Sequence, residues 1–341
     1  MENYYFGTLS KKEQQLYGQI REGLSSYLPS FRVSSVDVHV LTRIFELVRL
    51  DDPWLFYASD FQFAYCIDSS ACDFYPKYYM SRKSAVEMAS AVRTRLKRLC
   101  SPAVEKNEAV REQLIHDFIC TGVRYDKLKK QYSHEIAGPL TLGTAVCEGI
   151  AKTVKAMCDY LGIWCIVVLS DADPSGGIKY RHAWNILRIN GKYCHLDATF
   201  DCSLSHHGHV RYDYYNISDS AVFRDHEASI YPVPCCSADD ESYYMKKKMV
   251  FSDLPKLEER LKQKAQKRTS FTFQLRDELL NNMTAEQMIG IIDGISGNCG
   301  CISFIGGNWK QGVLSVRFSE QAEERERKSP ELEDKELLEI E

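Results

Sequence analysis

The sequence has no apolar run approaching the roughly 20 residues that a membrane-spanning helix requires. Positive charge is not in excess either. Lys and Arg number 43 against 47 Asp and Glu, a formal net charge of −4, so neither nucleic acid nor a membrane is expected as a partner. Met1 to Gly7 lack the basic stretch and apolar core of a secretory signal, and a cytoplasmic location is expected from this. There is no internal repeat and no C-x-x-C pair, and no residues call for a cofactor.

What the chain does contain is cysteine. Thirteen are present, an odd number, scattered through apolar runs at positions such as Cys66, Cys120, Cys158 and Cys165. A reducing compartment keeps such thiols free, and a free cysteine packs as a small hydrophobe. Most of the thirteen are therefore expected in the core. A chemical role has to be argued for any exception.

At 341 residues the chain can bury more than one core. Residues 1–102 read as a mainly helical accessory domain. Helices are expected over 9–28 behind Ser10, from Ser35 to Asp51, and from Ser81 to Leu99, with short aromatic strands over Phe61–Ile67 and Phe74–Met80. Residues 103–250 form the expected catalytic domain. It opens on a helix over 106–121 with Val110, Leu114 and Phe118 on one face, followed by a polar loop from Tyr125 to Leu142. A helix then runs from Cys147 to about Tyr160 and is closed by Gly162. Strands follow over Ile163–Leu169, Tyr180–Ile189 and Lys192–Thr199, the last two flanking Asn190-Gly191, a strong hairpin signal. Residues 251–319 suggest a small β-α-β-β unit, and 320–341 a charged tail.

The hairpin carries the chemistry. With Asn190-Gly191 as a two-residue turn, Ile189 pairs with Lys192, His182 falls opposite Thr199, and Asp197 falls opposite Trp184. His182 and Asp197 then share a face as diagonal neighbours, about 7–8 Å apart at the backbone. A one-residue slip would send them to opposite faces. Cys147, at a helix start, sits where free N–H groups and the macrodipole favour a thiolate. A thiolate, an imidazole and a carboxylate that orients the imidazole make a Cys147–His182–Asp197 triad for attack on a carbonyl. The Cys147 N–H would be one oxyanion donor, and Tyr125, Gln131 and His134 are candidates for a second. His195 shares the face of Asp197 and competes as the base, though it is less well aimed.

Other features are weaker. Cys202 with His206, His207 and His209 fits no standard zinc spacing and reads as a polar loop, so no metal is expected. His116-Asp117 reads as structural, Glu148 tunes the Cys147 pKa upward, contacts substrate or is an exposed helix residue, and Cys235-Cys236 and Cys299-Gly300-Cys301 read as ordinary cysteines.

Over about residues 104–225 the chain resembles the transglutaminase-like superfamily. The resemblance rests on Gly143-Thr144-Ala145-Val146-Cys147-Glu148-Gly149, His182-Ala183-Trp184-Asn185 and Leu196-Asp197-Ala198-Thr199-Phe200-Asp201. Arg211 to Asn216 and Arg224-Asp225-His226 look like the continuation found in bacterial members of unassigned function. The resemblance implies an α+β, papain-like core with a cysteine at a helix start and His and Asp on adjacent strands. It implies Cys147 as nucleophile, His182 as base and Asp197 as orienting acid, acting on a peptide or protein substrate. No transglutaminase calcium-site pattern is visible, so hydrolysis is expected ahead of cross-linking. A catalytically silent peptide-binding module on the same fold is the alternative.

Overall fold

Capping side chains and proline set most helix boundaries at the start of the chain. The computed structural model describes residues 3–65, 70–172, 181–205 and 209–320. The tail from 321, His206, His207, Tyr180, most of the expected loop over 171–177 and the expected strand end at Cys66–Ile67 lie outside the described residues. The chain divides into two compact units, Met1–Arg211 with Glu227–Cys236, and Tyr212–His226 with Ser237–Glu341.

In the first unit, helix α1 (Tyr4–Thr8) leads into α2 (Lys11–Ser25), where Ser10 and Glu13 close a reciprocal capping box. Strand β1 (Phe31–Ser34) was not anticipated. Helix α3 (Val38–Asp51) begins later than Ser35 because the Asp37 carboxylate caps the His39 N–H, and it stops before Pro53 as expected. The aromatic runs form β2 (Ala58–Tyr65) and β3 (Ala71–Tyr78), giving an antiparallel sheet in the order β1-β3-β2. Helix α4 (Arg82–Cys100) is capped by Ser81 and α5 (Glu108–Gly122) by Asn107.

The expected face of α5 is corrected. Val110 is exposed, and the buried residues are Glu112, Ile115, His116 and Ile119. A buried ion pair at His116 turns the helix one position away from its most regular apolar row.

Two short parallel strands, β4 (Arg124–Tyr125) and β5 (Thr144–Ala145), draw the ends of the intervening loop together. Helix α6 (Cys147–Leu161) follows and ends on Gly162 at φ +77°, a conformation that glycine adopts without strain. Every residue of α6 from Gly149 to Cys158 is buried, Lys152 and Lys155 included. Strands β6 (Trp164–Ser170), β7 (His182–Ile189) and β8 (Lys192–Leu196) run antiparallel in that order, and helix α7 (Ala198–Leu204) closes the motif.

Residues on both sides of position 102 share one core. Ile20, Leu24, Ile44, Val48 and Phe74 lie in the same buried cluster as Ala151 of α6, Val167 and Leu169 of β6, and Ala183 of β7. Each fully buried aliphatic side chain contributes roughly 1.5–3 kcal/mol. Polar contacts reinforce this core, since the Tyr5 hydroxyl donates to the Val167 carbonyl at 2.6 Å. The boundary expected at 102 therefore falls inside one compact unit, and the first hundred residues contain a sheet as well as helices.

The second unit begins with β9 (Tyr215–Ile217), α8 (Asp219–Val222) and α9 (Tyr243–Lys246). It continues through β10 (Val250–Phe251), α10 (Leu254–Gln266), β11 (Phe271–Leu275), α11 (Asp277–Leu280), α12 (Ala285–Asn298), β12 (Ile302–Asn308) and β13 (Val313–Ser319). The sheet order is β10-β11-β13-β12, with Leu257, Leu261, Met288 and Ile292 of α10 and α12 in its core. Where a β-α-β-β unit was expected, the order is β10-α10-β11-α11-α12-β12-β13. Residues 212–226, part of the resembling stretch, belong to this second unit. Among the described residues, no helix is long and apolar enough to cross a membrane.

Candidate active site

Cys147 is the first residue of α6, and the fold holds that turn tightly. The short turn Gln131–His134 crosses over it, with the Val146 N–H donating to the Ser133 carbonyl at 3.0 Å. A Cβ on Gly149 would stand 2.1 Å from the Ser133 carbonyl oxygen, so only glycine fits there. The N-cap residue, Val146, makes no side-chain cap. The positive end of the helix is thus not neutralised by a capping side chain, and the partly exposed thiol sits on it.

His182 opens β7. The hairpin behind it has the expected register, from Ile189↔Lys192 to Asn185↔Leu196, and Asn190 and Gly191 adopt φ of 50° and 80° as a type I′ turn requires. The pairing ends at Leu196, and this corrects the expectation of His and Asp on adjacent strands. Asp197 leaves the strand and caps α7, its Oδ1 accepting the N–H groups of Thr199 at 2.8 Å and Phe200 at 3.1 Å. Its Oδ2 accepts from His182 Nε2 at 2.6 Å. Asp197 therefore does reach His182, but from a helix cap.

The His182 ring lies between Trp184, with centroids 5.8 Å apart, and Phe200, at 4.8 Å. Only 13% of its side chain is exposed. Burial works to lower its pKa. The Asp197 charge, the hydrogen bond to it and the hydrogen bond and charge of Cys147 outweigh burial and raise it to about 10. The site thus brings together a helix-start thiol, an imidazole in contact with it, and a carboxylate behind the imidazole.

The competing histidine is accounted for. His195 is buried, and its Nδ1 accepts the Trp184 indole N–H at 3.0 Å. Since an indole N–H can only donate, His195 carries its proton on Nε2. Of the candidates for a second oxyanion donor, Tyr125 feels the charge of Cys147. It pairs with Ala145 in the β4–β5 ladder, and burial, then the charges of Cys147 and Asp197, raise its phenol to about 12. Gln131 is exposed, and His134 Nδ1 is 3.2 Å from Glu148 Oε2.

Glu148 is neither an exposed helix residue nor free. Its Oε1 pairs with the fully buried Lys152 at 2.8 Å. Burial acts to raise its pKa, but Lys152, His134 and Arg49 together hold it well below the usual carboxylate range. Lys152 also meets both oxygens of Glu135 at 2.9 Å, and Arg49 pairs with the same carboxylate. Sequence reasoning passed over Arg49, Glu135, Lys152 and the aromatic wall of Phe200. A lysine inside an apolar helical row is the one signal that pointed to the network.

His116 is a second buried histidine held by α7. Its Nε2 is 3.0 Å from Asp201 Oδ2, with both side chains fully buried, and Asp117 lies at 3.3 Å on the other nitrogen. Of the residues weighed for a metal, Cys202 Sγ donates to the Val123 carbonyl at 3.5 Å, burial pushes its thiol up to about 12, and His206 and His207 lie outside the described residues. Seven of the twelve described cysteines are buried, consistent with ordinary core packing for most.

The model of the Transglutaminase-like superfamily matches residues 97–198. No curated protein matches the chain. Among solved structures, a TGase is similar at a TM-score of 0.30 and 10% identity, over 46% of this chain and 48% of that one. A proposed cysteine protease from Cytophaga hutchinsonii is similar at 0.25 and 16% identity, over 41% and 61% of the two chains. A proposed protease from Parabacteroides distasonis is similar at 0.25 and 13%, over 42% and 37%. The chain thus spans about half the length of the TGase and less than two thirds of the other two. Residues 97–198, a span that holds Cys147, His182 and Asp197, thus match the transglutaminase-like superfamily.

Proposed function

We propose that the protein is a cysteine-dependent hydrolase or acyltransferase acting on peptide or protein amide bonds. The observation that carries this reading is the alignment around His182. Its Nε2 lies 2.6 Å from Asp197, and the Cys147 thiol at the start of α6 is among the groups that raise the pKa of the same ring. In this reading Cys147 is the nucleophile, His182 the acid and base, and Asp197 the group that orients the imidazole.

The thiolate attacks the amide carbonyl, forming a C–S bond as the carbonyl electrons move onto oxygen. In this reading the Cys147 N–H and the Tyr125 hydroxyl donate to that oxyanion. Collapse breaks the C–N bond, and the His182 imidazolium passes its proton to the leaving amine. A water or amine, deprotonated by His182, then attacks the thioester, releases the acyl group and restores the thiol. No cofactor enters these steps.

The test is a peptide-library screen scored for both cleavage and amine incorporation, run on wild type and Cys147→Ala. Turnover in the wild type that disappears in Cys147→Ala is expected. Turnover that survives in Cys147→Ala would sink the reading.

A further inference from the structure

Helix α3 lies outside the family-matched span, yet it touches the chain on both sides of the candidate site. Toward the thiol, Arg49 pairs with Glu135, whose oxygens also hold Lys152 at 2.9 Å. Lys152 in turn grips Glu148, next to Cys147, at 2.8 Å. Toward the imidazole, Glu46 takes both guanidinium arms of Arg181, next to His182, at 3.1 and 3.3 Å, and it also accepts the Tyr231 hydroxyl. Glu46 and Arg49 are three residues apart and so occupy neighbouring places on one helix face. Cys147 itself packs against the apolar cluster built largely from residues 1–102.

We propose that α3 is a positioning element of the site, with Arg49 setting the nucleophile side and Glu46 the base side, so that α3 fixes the separation of Cys147 and His182. The inference rests on the functional reading above. The charges on the nucleophile side balance, two cations against two carboxylates, and Glu135 and Lys152 are buried. Removing one member of such a set leaves a buried charge uncompensated and moves its partners. The Glu46–Arg181 pair is partly exposed, so it adds little stability, and its value lies in geometry.

The experiment measures iodoacetamide alkylation of Cys147 in the full chain across pH, with thermal midpoints alongside. Glu46→Gln, Arg181→Gln and Arg49→Lys are each expected to slow alkylation at neutral pH by tenfold to a hundredfold, on the order that small misplacements cost. They should also change the pH profile of alkylation, because the imidazole is displaced from the site. The swapped pair Glu46→Arg with Arg181→Glu should recover most of the rate. Glu46→Gln alters a partly exposed pair and is the variant expected to keep its fold, so it decides the matter if Arg49→Lys unfolds. Wild-type rates and profiles in Glu46→Gln and Arg181→Gln, whatever their midpoints, would overturn the positioning role alone. A wild type in which Cys147 reacts no faster than the other cysteines would overturn the functional reading and this inference together.

Discussion

Asp197 serves two masters with two oxygens. Oδ1 caps α7 and Oδ2 holds His182. Asparagine caps a helix about as well as aspartate, whereas alanine costs about 1 kcal/mol. Asp197→Asn should therefore keep the thermal midpoint near wild type while activity falls by about four orders of magnitude, as loss of the orienting charge does in such triads. Asp197→Ala should lose both activity and stability. Midpoints compared with turnover for the two variants check this. If Asp197→Asn destabilises as much as Asp197→Ala, the double role is wrong.

His182 also makes stability depend on pH. Its folded pKa is raised from 6.5 to about 10. The folded state therefore holds a proton that the unfolded chain gives up, and the stabilisation is complete below pH 6.5 and fades as pH rises toward 10. Wild type should lose more of its thermal midpoint across that window than His182→Ala does. Parallel midpoint curves for the two proteins would refute the assignment.

At the scale of elements, what could be read in advance tracks how local the physics is. The Asn190-Gly191 turn, the stop at Gly162, the Ser10 cap and the helix start at Cys147 depend on near neighbours, and all were legible. The end of β8 was not. Leu196-Asp197-Ala198-Thr199 continues a strand pattern, and only the choice of Asp197 as a cap ends it. The face of α5 was misjudged for a related reason, because burial of His116 against Asp201 follows a partner 85 residues away. The Arg49–Glu135–Lys152 network joins segments with no local signal in common. Of the candidate site, Cys147, His182 and Asp197 could be singled out from sequence, while the route by which Asp197 reaches His182 could not.

Gly149 offers a test at this scale. A methyl group there meets the Ser133 carbonyl, which also takes the Val146 N–H. Gly149→Ala should cost about 1–3 kcal/mol, as overpacking does. It should also displace the first turn of α6, slowing Cys147 alkylation. Chemical denaturation and labelling rates measure the two effects. A fully stable, fully reactive Gly149→Ala would show that the turn yields more easily than its geometry implies.

At the scale of the molecule, the family-matched segment and the first hundred residues share a core. Removing residues 1–96 would strip the apolar partners of Ala151, Val167, Leu169 and Ala183 and leave the Glu135 and Lys152 charges without Arg49. A fragment of residues 97–236 should therefore lack a cooperative thermal transition and fixed aromatic packing, as near-ultraviolet circular dichroism would report. A sharp transition in that fragment would establish the matched segment as an independent folding unit.

The hydrogen bond from Tyr5 to Val167 has a further consequence, in the order of synthesis. The two residues are 162 positions apart, so the N-terminal helices leave the ribosome long before the strand on which they rest exists. At typical elongation rates that interval is on the order of ten seconds or more. Through it, Leu16, Ile20, Leu24 and Ile44 have only one another and the early sheet for cover. The core of the first unit closes only once β6 has emerged, and the candidate site is among the last parts of that unit to form.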